Sequence, residues 1–254
     1  MNIAVILAGG SGKRMGAPVP KQFLTIYGKP VIAYTLEVFE KHPEIDAIEV
    51  VSVADYIDEV WNIGKKYGIS KLKWVTPGGD TCQASTRNGI FALEGICRDE
   101  DMLLYHMSVS PLVDEKVISS ALATCRKYGN AFSADPCIFN MCRKCDGTST
   151  DEMLLKEDLI ALNMPWTCTF KELREAYHWA YEKDVYTDGA SYMTNLFIGL
   201  GKRLYYSAGS QKNRMKLTTK DDYDLLTGYI MLEKAREAGT AGSINEDFEA
   251  RVEK

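Results

Sequence analysis

The first 24 residues constrain this chain more than any other stretch. Asn2 to Leu7 reads NIAVIL, an apolar run without polar alternation. Such a run predicts a strand buried on both faces, as in a parallel sheet. It leads straight into AGGSGKRMG, where Gly9, Gly10, Gly12 and Gly16 surround Lys13 and Arg14, and then into Pro20-Lys21-Gln22-Phe23-Leu24. A glycine-rich turn after a buried strand lets backbone N–H groups approach a phosphate closely. Lys13, Arg14 and Lys21 add the positive charge that a polyphosphate requires. The pattern predicts a nucleotide-triphosphate site.

Two familiar glycine-rich loops fit badly. A P-loop needs G-x-x-x-x-G-K-[ST], but Arg14 follows Gly12-Lys13 and Leu7 stands where the earlier glycine belongs. A dinucleotide loop needs G-x-G-x-x-G, and Met15 occupies the third glycine position after Gly10-Ser11-Gly12. No acidic residue stands convincingly at the end of a second strand to hold a ribose.

A chain of 254 residues predicts one α/β domain. With 46% hydrophobic and 26% charged residues, it reads as an ordinary soluble globular protein. The net charge of −5 argues against a nucleic-acid partner, so the cations of the loop are local. No apolar run approaches the roughly 20 residues that span a bilayer. The N-terminus reads as the first strand and not as a signal peptide. The expectation is a cytoplasmic protein that spans no membrane. Of the seven cysteines, Cys137, Cys142 and Cys145 cluster, and Cys142 to Cys145 spells C-x-x-C. No matching pair follows to complete a zinc site, so these read as reduced thiols.

Periodicity then alternates strand and helix. Strands are expected at 48–53, 72–75, 102–106, 131–138 and 203–207. Helices are expected at 31–41, 84–97, 113–127, 170–181, 191–200 and 221–238. Another helix begins near Asp55 or Asp58, with Ile57, Val60, Trp61 and Gly64 on one face. This alternation implies a doubly wound, mostly parallel sheet with right-handed crossovers. Ligands of such sheets sit at the carboxyl ends of strands, so loops 9–24, 78–85 and 106–111 should converge on one crevice. From 131 to 169 the pattern loosens, and 140–152 is polar and turn-rich. The expected organisation is a single domain over 1–238 with a projecting arm at 139–155, followed by a frayed tail at 239–254.

The string L-A-G-G-x-G-x-R-M-G followed by P-K-Q-F-L resembles the signature of nucleotidyltransferases that activate sugar and polyol phosphates. PKQF points to the methylerythritol-phosphate and ribitol-5-phosphate cytidylyltransferase family, and Ala8-Gly9-Gly10 is spelled more like the ribitol-phosphate type. The resemblance implies a Rossmann-like nucleotidyltransferase fold. It also implies a CTP site from Ala8, Gly9, Gly10, Ser11, Gly12 and Lys13, with Arg14 and Lys21 as catalytic cations.

Gly78-Gly79-Asp80-Thr81-x-Gln83-x-Ser85 is similar to the family's base-reading loop, which assigns Gly79, Asp80 and Ser85 to CTP. The family Arg of that loop is Cys82 here. Lys216-Leu217-Thr218-Thr219 resembles the family's second lysine motif, making Lys216 catalytic. The Asn two places before that lysine is Arg214 here, unless Asn213 fills the role. On the acceptor side the alignment puts Asn140, Lys156 and Asp188 at the binding positions. Thr187-Asp188-Gly189-Ala190 keeps the T-D-x-A pattern.

The family's H-D-x-x-R-P reads His106-Met107-Ser108-Val109-Ser110-Pro111. The magnesium-binding Asp is thus Met107, a soft thioether where a hard cation wants oxygen. The family implies magnesium brought with CTP, a small phosphorylated polyol or sugar as second substrate, and a homodimer formed through the arm. The product would be a CDP-activated alcohol for a cell-envelope polymer such as teichoic acid or capsule. Two rival readings are methylerythritol-phosphate cytidylyltransferase and a nucleotide-binding relative that has lost catalysis.

Overall fold

A computed structural model describes residues 1–10, 19–188 and 192–239. Its strands are β1 (Asn2–Ala8), β2 (Thr25–Ile26), β3 (Lys29–Pro30), β4 (Ala47–Ser52), β5 (Leu72–Pro77), β6 (Met102–Met107), β7 (Asn130–Pro136), β8 (Met141–Arg143), β9 (Glu152–Leu154), β10 (Ile160–Thr169) and β11 (Tyr206–Ala208). Its α-helices are α1 (Val31–Lys41), α2 (Ile57–Lys66), α3 (Cys82–Ala92), α4 (Glu115–Tyr128), α5 (Phe170–Glu182), α6 (Met193–Gly199) and α7 (Lys220–Glu237).

Seven strands form one sheet in the order β11-β7-β10-β6-β1-β4-β5. β1 lies between β4 and β6, parallel to both, with Val5 opposite Glu49 on one side and Tyr105 on the other. Its side chains divide between the faces as the two-residue period of a strand requires. Ala4, Ile6 and Ala8 pack under α1, α2 and α4 with Leu36, Val60 and Ile118. Ile3, Val5 and Leu7 pack under α3, α5 and α6 with Ile90, Tyr177 and Phe197. The unbroken apolar run of β1 is therefore the signature of a strand covered twice. α7 closes a third, smaller cluster in which Leu226 and Ile230 meet Ile26, Val31 and Leu217.

Several expectations need adjustment. β10 lies within the stretch where periodicity loosens, and it runs antiparallel between β6 and β7. The register shifts between Leu162 and Trp166, around Pro165, which has no N–H to give a ladder. α3 spans 82–92 and not 84–97, because Thr81 caps it by accepting from Ala84 N, and the chain after it turns through Gly95 at φ +78°. α4 begins at Glu115 because Asp114 accepts from Val117 N. On α2 the buried face is Val60, Ile63 and Gly64, while Trp61 is exposed. Trp61 stands 100° around the helix from Val60, outside the stripe that faces the sheet. On α7, Leu226 and Ile230 are buried but Leu225 and Tyr229 are exposed. Within 139–155, β8 and β9 pair only with each other, Met141 opposite Leu154, as an exposed hairpin. Residues 240–254 of the expected tail lie outside the described residues.

The sheet encloses one acid. Glu49 is fully buried, its Oε1 accepts from Thr76 Oγ1 at 2.6 Å, and its Oε2 has no partner. Burial pushes its carboxyl from 4.5 up to about 8. A group whose folded pKa lies above its unfolded one takes up a proton on folding. Its contribution is complete below 4.5 and is lost as pH rises through about 8. Glu49→Gln keeps an acceptor for Thr76 and removes the titration. The variant should therefore lose less stability between these pH values than the parent, by about 2–4 kcal/mol. Thermal or urea unfolding at pH 5 and pH 8 measures this, and identical pH slopes would refute it.

Candidate functional site

The three loops expected to converge do so, around a cleft of about 310 Å³ at the carboxyl ends of β1, β5 and β6. Gly9 and Gly10 form one lip. Gly79, Asp80 and Thr81, with Cys82 and Ser85 of α3, form the second. Met107, Ser108 and Val109 form the floor, and Lys21, Lys216 and Tyr192 complete the wall.

Close backbone approach explains the glycines. A Cβ on Gly9 would stand 2.9 Å from Ser85 Oγ, and one on Gly78 3.0 Å from the same atom. Ser85 Oγ accepts from Gly79 N at 3.1 Å and lies 3.3 Å from Gly79 O, to which it donates. Ser85 thus pins the turn that carries Gly79 and Asp80, and the helix N-cap is Thr81. Gly78 N donates to Ser52 O at 2.7 Å, which anchors the same turn to β4. Gln22 is buried, and its Nε2 donates to Ala8 O at 2.6 Å. That bond folds the PKQF segment back on the end of β1. It also leaves Ala8 behind the cleft and not on its surface.

The two lysines come from opposite ends of the chain. Lys21 Nζ donates to Leu217 O at 2.7 Å, next to Lys216 in sequence. Leu217 N in turn donates to Val109 O at 3.0 Å, so the Lys216 segment is stitched to the loop after β6. Thr218 N and Thr219 N both donate to Asp222 Oδ2, at 2.8 and 2.7 Å, fixing the entry to α7. Burial pushes the Cys82 thiol up, and the ammonium of Lys216 pulls it partly back; both residues line the cleft.

Below the floor, His106 is fully buried and its Nε2 donates to Ser110 O at 2.8 Å. Burial drives its pKa down to about 4, so it is a neutral structural tie and not a cation for phosphate. Arg214 is committed elsewhere, with Nε 3.3 Å from Asp135 Oδ2 and a second N–H donating to Pro136 O. Asn213 is buried and donates to Met164 O.

Of the residues proposed from the sequence, Gly9, Gly10, Lys21, Gly79, Asp80, Ser85 and Lys216 line one cleft. Ser11, Gly12, Lys13 and Arg14 lie outside the described residues. Asn140 and Lys156 are exposed on the arm and its following turn, and neither lines the cleft. Asp188 is exposed, close in sequence to Tyr192 but not itself in the lining. Sequence reasoning missed Tyr192, whose ring sits edge-on to Trp166 at 6.2 Å and remains 43% exposed. It lies within an expected apolar helix, and nothing in that pattern marks it as cleft-facing.

Oxygen donors for a divalent cation are sparse. Among the described residues Asp80 is the only carboxylate in the lining, and Met107 presents a thioether. Among the described residues no group of three or more His, Cys, Asp or Glu could hold a metal ion. The described residues do not by themselves form a resident magnesium site.

Comparison with known proteins agrees with this architecture. Residues 2–233 match the IspD family, 2-C-methyl-D-erythritol 4-phosphate cytidylyltransferase. A ribitol-5-phosphate cytidylyltransferase of Lacticaseibacillus paracasei is 37% identical over 230 residues, 91% of this chain and 98% of that protein. A 2-C-methyl-D-erythritol 4-phosphate cytidylyltransferase of Geobacter metallireducens is 35% identical over 229 residues, 89% of this chain and 96% of that one. The crystal structure of 4-diphosphocytidyl-2C-methyl-D-erythritol synthase from Anaerococcus prevotii superposes with a TM-score of 0.74 at 20% identity, covering 91% of this chain and 98% of that one. The two glycine turns that meet at Ser85, the two lysines in one cleft and a similarity that runs over residues 2–233 have one common explanation: the chain belongs to the IspD family of cytidylyltransferases.

Proposed function

We propose that this chain transfers CMP from CTP to a small phosphorylated polyol, with a ribitol-5-phosphate-like acceptor favoured, and releases pyrophosphate. The observation that carries the reading is the cleft itself. Two glycine-rich turns and two lysines from distant parts of the chain surround a space of nucleotide dimensions. The greater identity to the Lacticaseibacillus ribitol-5-phosphate enzyme supports the choice of acceptor.

The chemistry asks little of a general base. A phosphate monoester is largely dianionic near neutrality, its second pKa being about 6. One of its oxygens attacks the α-phosphorus of CTP. A new P–O bond forms, the bond to the bridging oxygen of the β-phosphate breaks, and its electron pair leaves with pyrophosphate. No proton has to move. Catalysis then rests on alignment and on positive charge held where negative charge crowds. Lys21 and Lys216 serve the α-phosphate, and Arg14 with the glycine-rich turn serves the β- and γ-phosphates. Gly79, Asp80 and Ser85 hold the nucleoside end. Magnesium, if bound, would enter with CTP and would add positive charge at the triphosphate.

Pyrophosphate release from CTP, across ribitol-5-phosphate, methylerythritol phosphate and other polyol and sugar phosphates, tests the proposal. Release with CTP and ribitol-5-phosphate, and not with ATP or UTP, is expected. CTP binding without release from any pair would favour the second reading, a nucleotide-binding relative without turnover, for which Met107 on the cleft floor speaks. Release only with methylerythritol phosphate would assign the chain to isoprenoid synthesis.

The arm gives a reason for two copies to pair. Phe139, Met141, Met153 and Leu155 are all exposed on it, an apolar surface that isolated globular chains seldom carry. We propose a homodimer joined by this hairpin, which would bring Asn140 and Lys156 to a partner's cleft. Sedimentation should give a dimer for the parent protein and a monomer for the double variant Met153→Asp, Leu155→Asp. A monomeric parent would overturn it. The setting proposed for the reaction is the cytoplasm. Among the described residues no helix is long and apolar enough to cross a membrane.

A further inference from the structure

One buried side chain ties the helix that follows the nucleotide loop to the segment between α5 and α6. Gln83 lies on the first turn of α3, immediately after the loop that carries Gly79 and Asp80, and is 1% exposed. Its Nε2 donates to Tyr186 O at 3.0 Å, and its Oε1 accepts from Tyr177 Oη–H at 2.7 Å. A backbone carbonyl can only accept, so the amide nitrogen must face Tyr186 and the amide oxygen Tyr177. Tyr177 is fully buried on α5, and burial raises its phenol well above the ordinary value, which keeps it a donor.

The segment that Gln83 holds is a strained one. Between α5 and α6, Asp184 and Tyr186 adopt φ of 51° and 55°, a region that residues with a Cβ rarely occupy. Such backbone persists only where its surroundings hold it. Val185 N donates to Ala180 O at 2.9 Å, and Thr187 Oγ1 donates to Asp184 Oδ1 at 3.2 Å. The ring of Tyr186 lies across Gly199 of α6, where any Cβ would overlap it. This turn carries Thr187 and Asp188, and Tyr192 of the cleft wall follows soon after in sequence.

We infer that Gln83 is a positioning residue, which sets the Tyr186–Asp188 segment and with it the acceptor side of the cleft against the nucleotide loop. The inference rests on the proposed reading for which side binds which substrate. Its consequence is an asymmetry. The nucleotide loop has anchors of its own: Ser85 to Gly79, Ala84 N to Thr81 Oγ1, Gly78 N to Ser52 O, and Asn88 Nδ2 to Pro77 O. Loss of the Gln83 amide leaves that loop in place and releases the opposite wall.

Gln83→Met, of similar length without polar atoms, and Tyr177→Phe, which leaves the Gln83–Tyr186 bond, separate the contributions. In the full-length protein, Gln83→Met should raise KM for ribitol-5-phosphate about 10-fold and leave Kd for CTP within about twofold. Tyr177→Phe should give a smaller rise in the same KM, about two- to threefold, because only the support of the amide is lost. A parallel fall in CTP affinity, or an unchanged acceptor KM, overturns the inference. Backbone amide hydrogen exchange reads the same device without turnover. Residues 184–188 should exchange about 10-fold faster in Gln83→Met, with residues 78–81 unchanged. Equal change in both segments, or in neither, overturns it. An inactive parent protein that still shows the selective exchange would refute the acceptor assignment and not the positioning. Should Gln83→Met fail to fold, Tyr177→Phe carries both measurements.

Discussion

Lys21→Ala should lower turnover by about 10²–10³-fold, the range seen when one preorganised donor to a developing oxyanion is removed. The side chain is not a floppy surface cation. It follows Pro20 in a short turn, Gln22 is locked to Ala8 O, and the ring of Phe23 stacks on Tyr56 at 4.6 Å. Its ammonium is then tied to Leu217 O at 2.7 Å. Charge held in place before reaction needs no reorganisation as the transition state forms, which is why its loss falls mainly on kcat. Lys21→Arg should recover part of the rate, because the charge returns but a planar guanidinium does not reproduce a compact ammonium. Lys216→Ala should act in the same direction. The double variant should lose less than the product of the single losses, because Lys21 is tied to the carbonyl of the residue that follows Lys216. Initial rates of pyrophosphate release give all four values, and unchanged turnover in Lys21→Ala would remove this residue from the mechanism.

The second large effect is expected at Gly79, where no charge is involved. A Cβ there would overlap the Cβ of Ala84 and stand 3.1 Å from the Ala84 carbonyl carbon. Neither neighbour is the end of a flexible side chain, so the turn itself must move. It would pull Gly79 N from Ser85 Oγ and displace Asp80. A displacement of about 1 Å at a positioning loop can reduce activity about 10²-fold, and Gly79→Ala should weaken CTP binding on that scale. The melting temperature should change little, since the loop lies at the surface and the sheet below is untouched. Ala84→Gly in the same chain removes the overlapping methyl and should restore much of the affinity. Titration calorimetry with CTP on the single and double variants decides it. Failure of the second substitution to rescue would point to a direct loss of ligand contact and not to steric displacement.

The fold was legible where local rules suffice. Asn2 to Leu7 shows no alternation because β1 is covered on both faces. Val31 to Lys41 keeps helical spacing because one stripe of α1 meets the sheet. Gly9 and Gly78 stood out as glycines, and the structure supplies the reason in their shared contact with Ser85. The expected arm and helix ends were less legible. Trp61 looked like a core residue because sequence gives its spacing but not which side of α2 faces the sheet. Cys82 and Met107, where the resemblance leads to an expectation of Arg and Asp, both line the cleft.

The sequence by itself determined the alternation of the main strands and helices, the two-sided cover of β1 and the glycine turns at the carboxyl ends of β1 and β5. Each of these is written within a few residues, as periodicity or turn-forming glycine. Only the tertiary structure decided that β10 enters the sheet antiparallel between β6 and β7, that Lys21 reaches a carbonyl 196 residues away, that Tyr192 walls the cleft and that Gln83 ties α3 to Tyr186. Those features depend on contacts between segments far apart in the chain. Such a contact leaves no period in either segment, because its free energy comes from burial and hydrogen bonds formed only after both are in place.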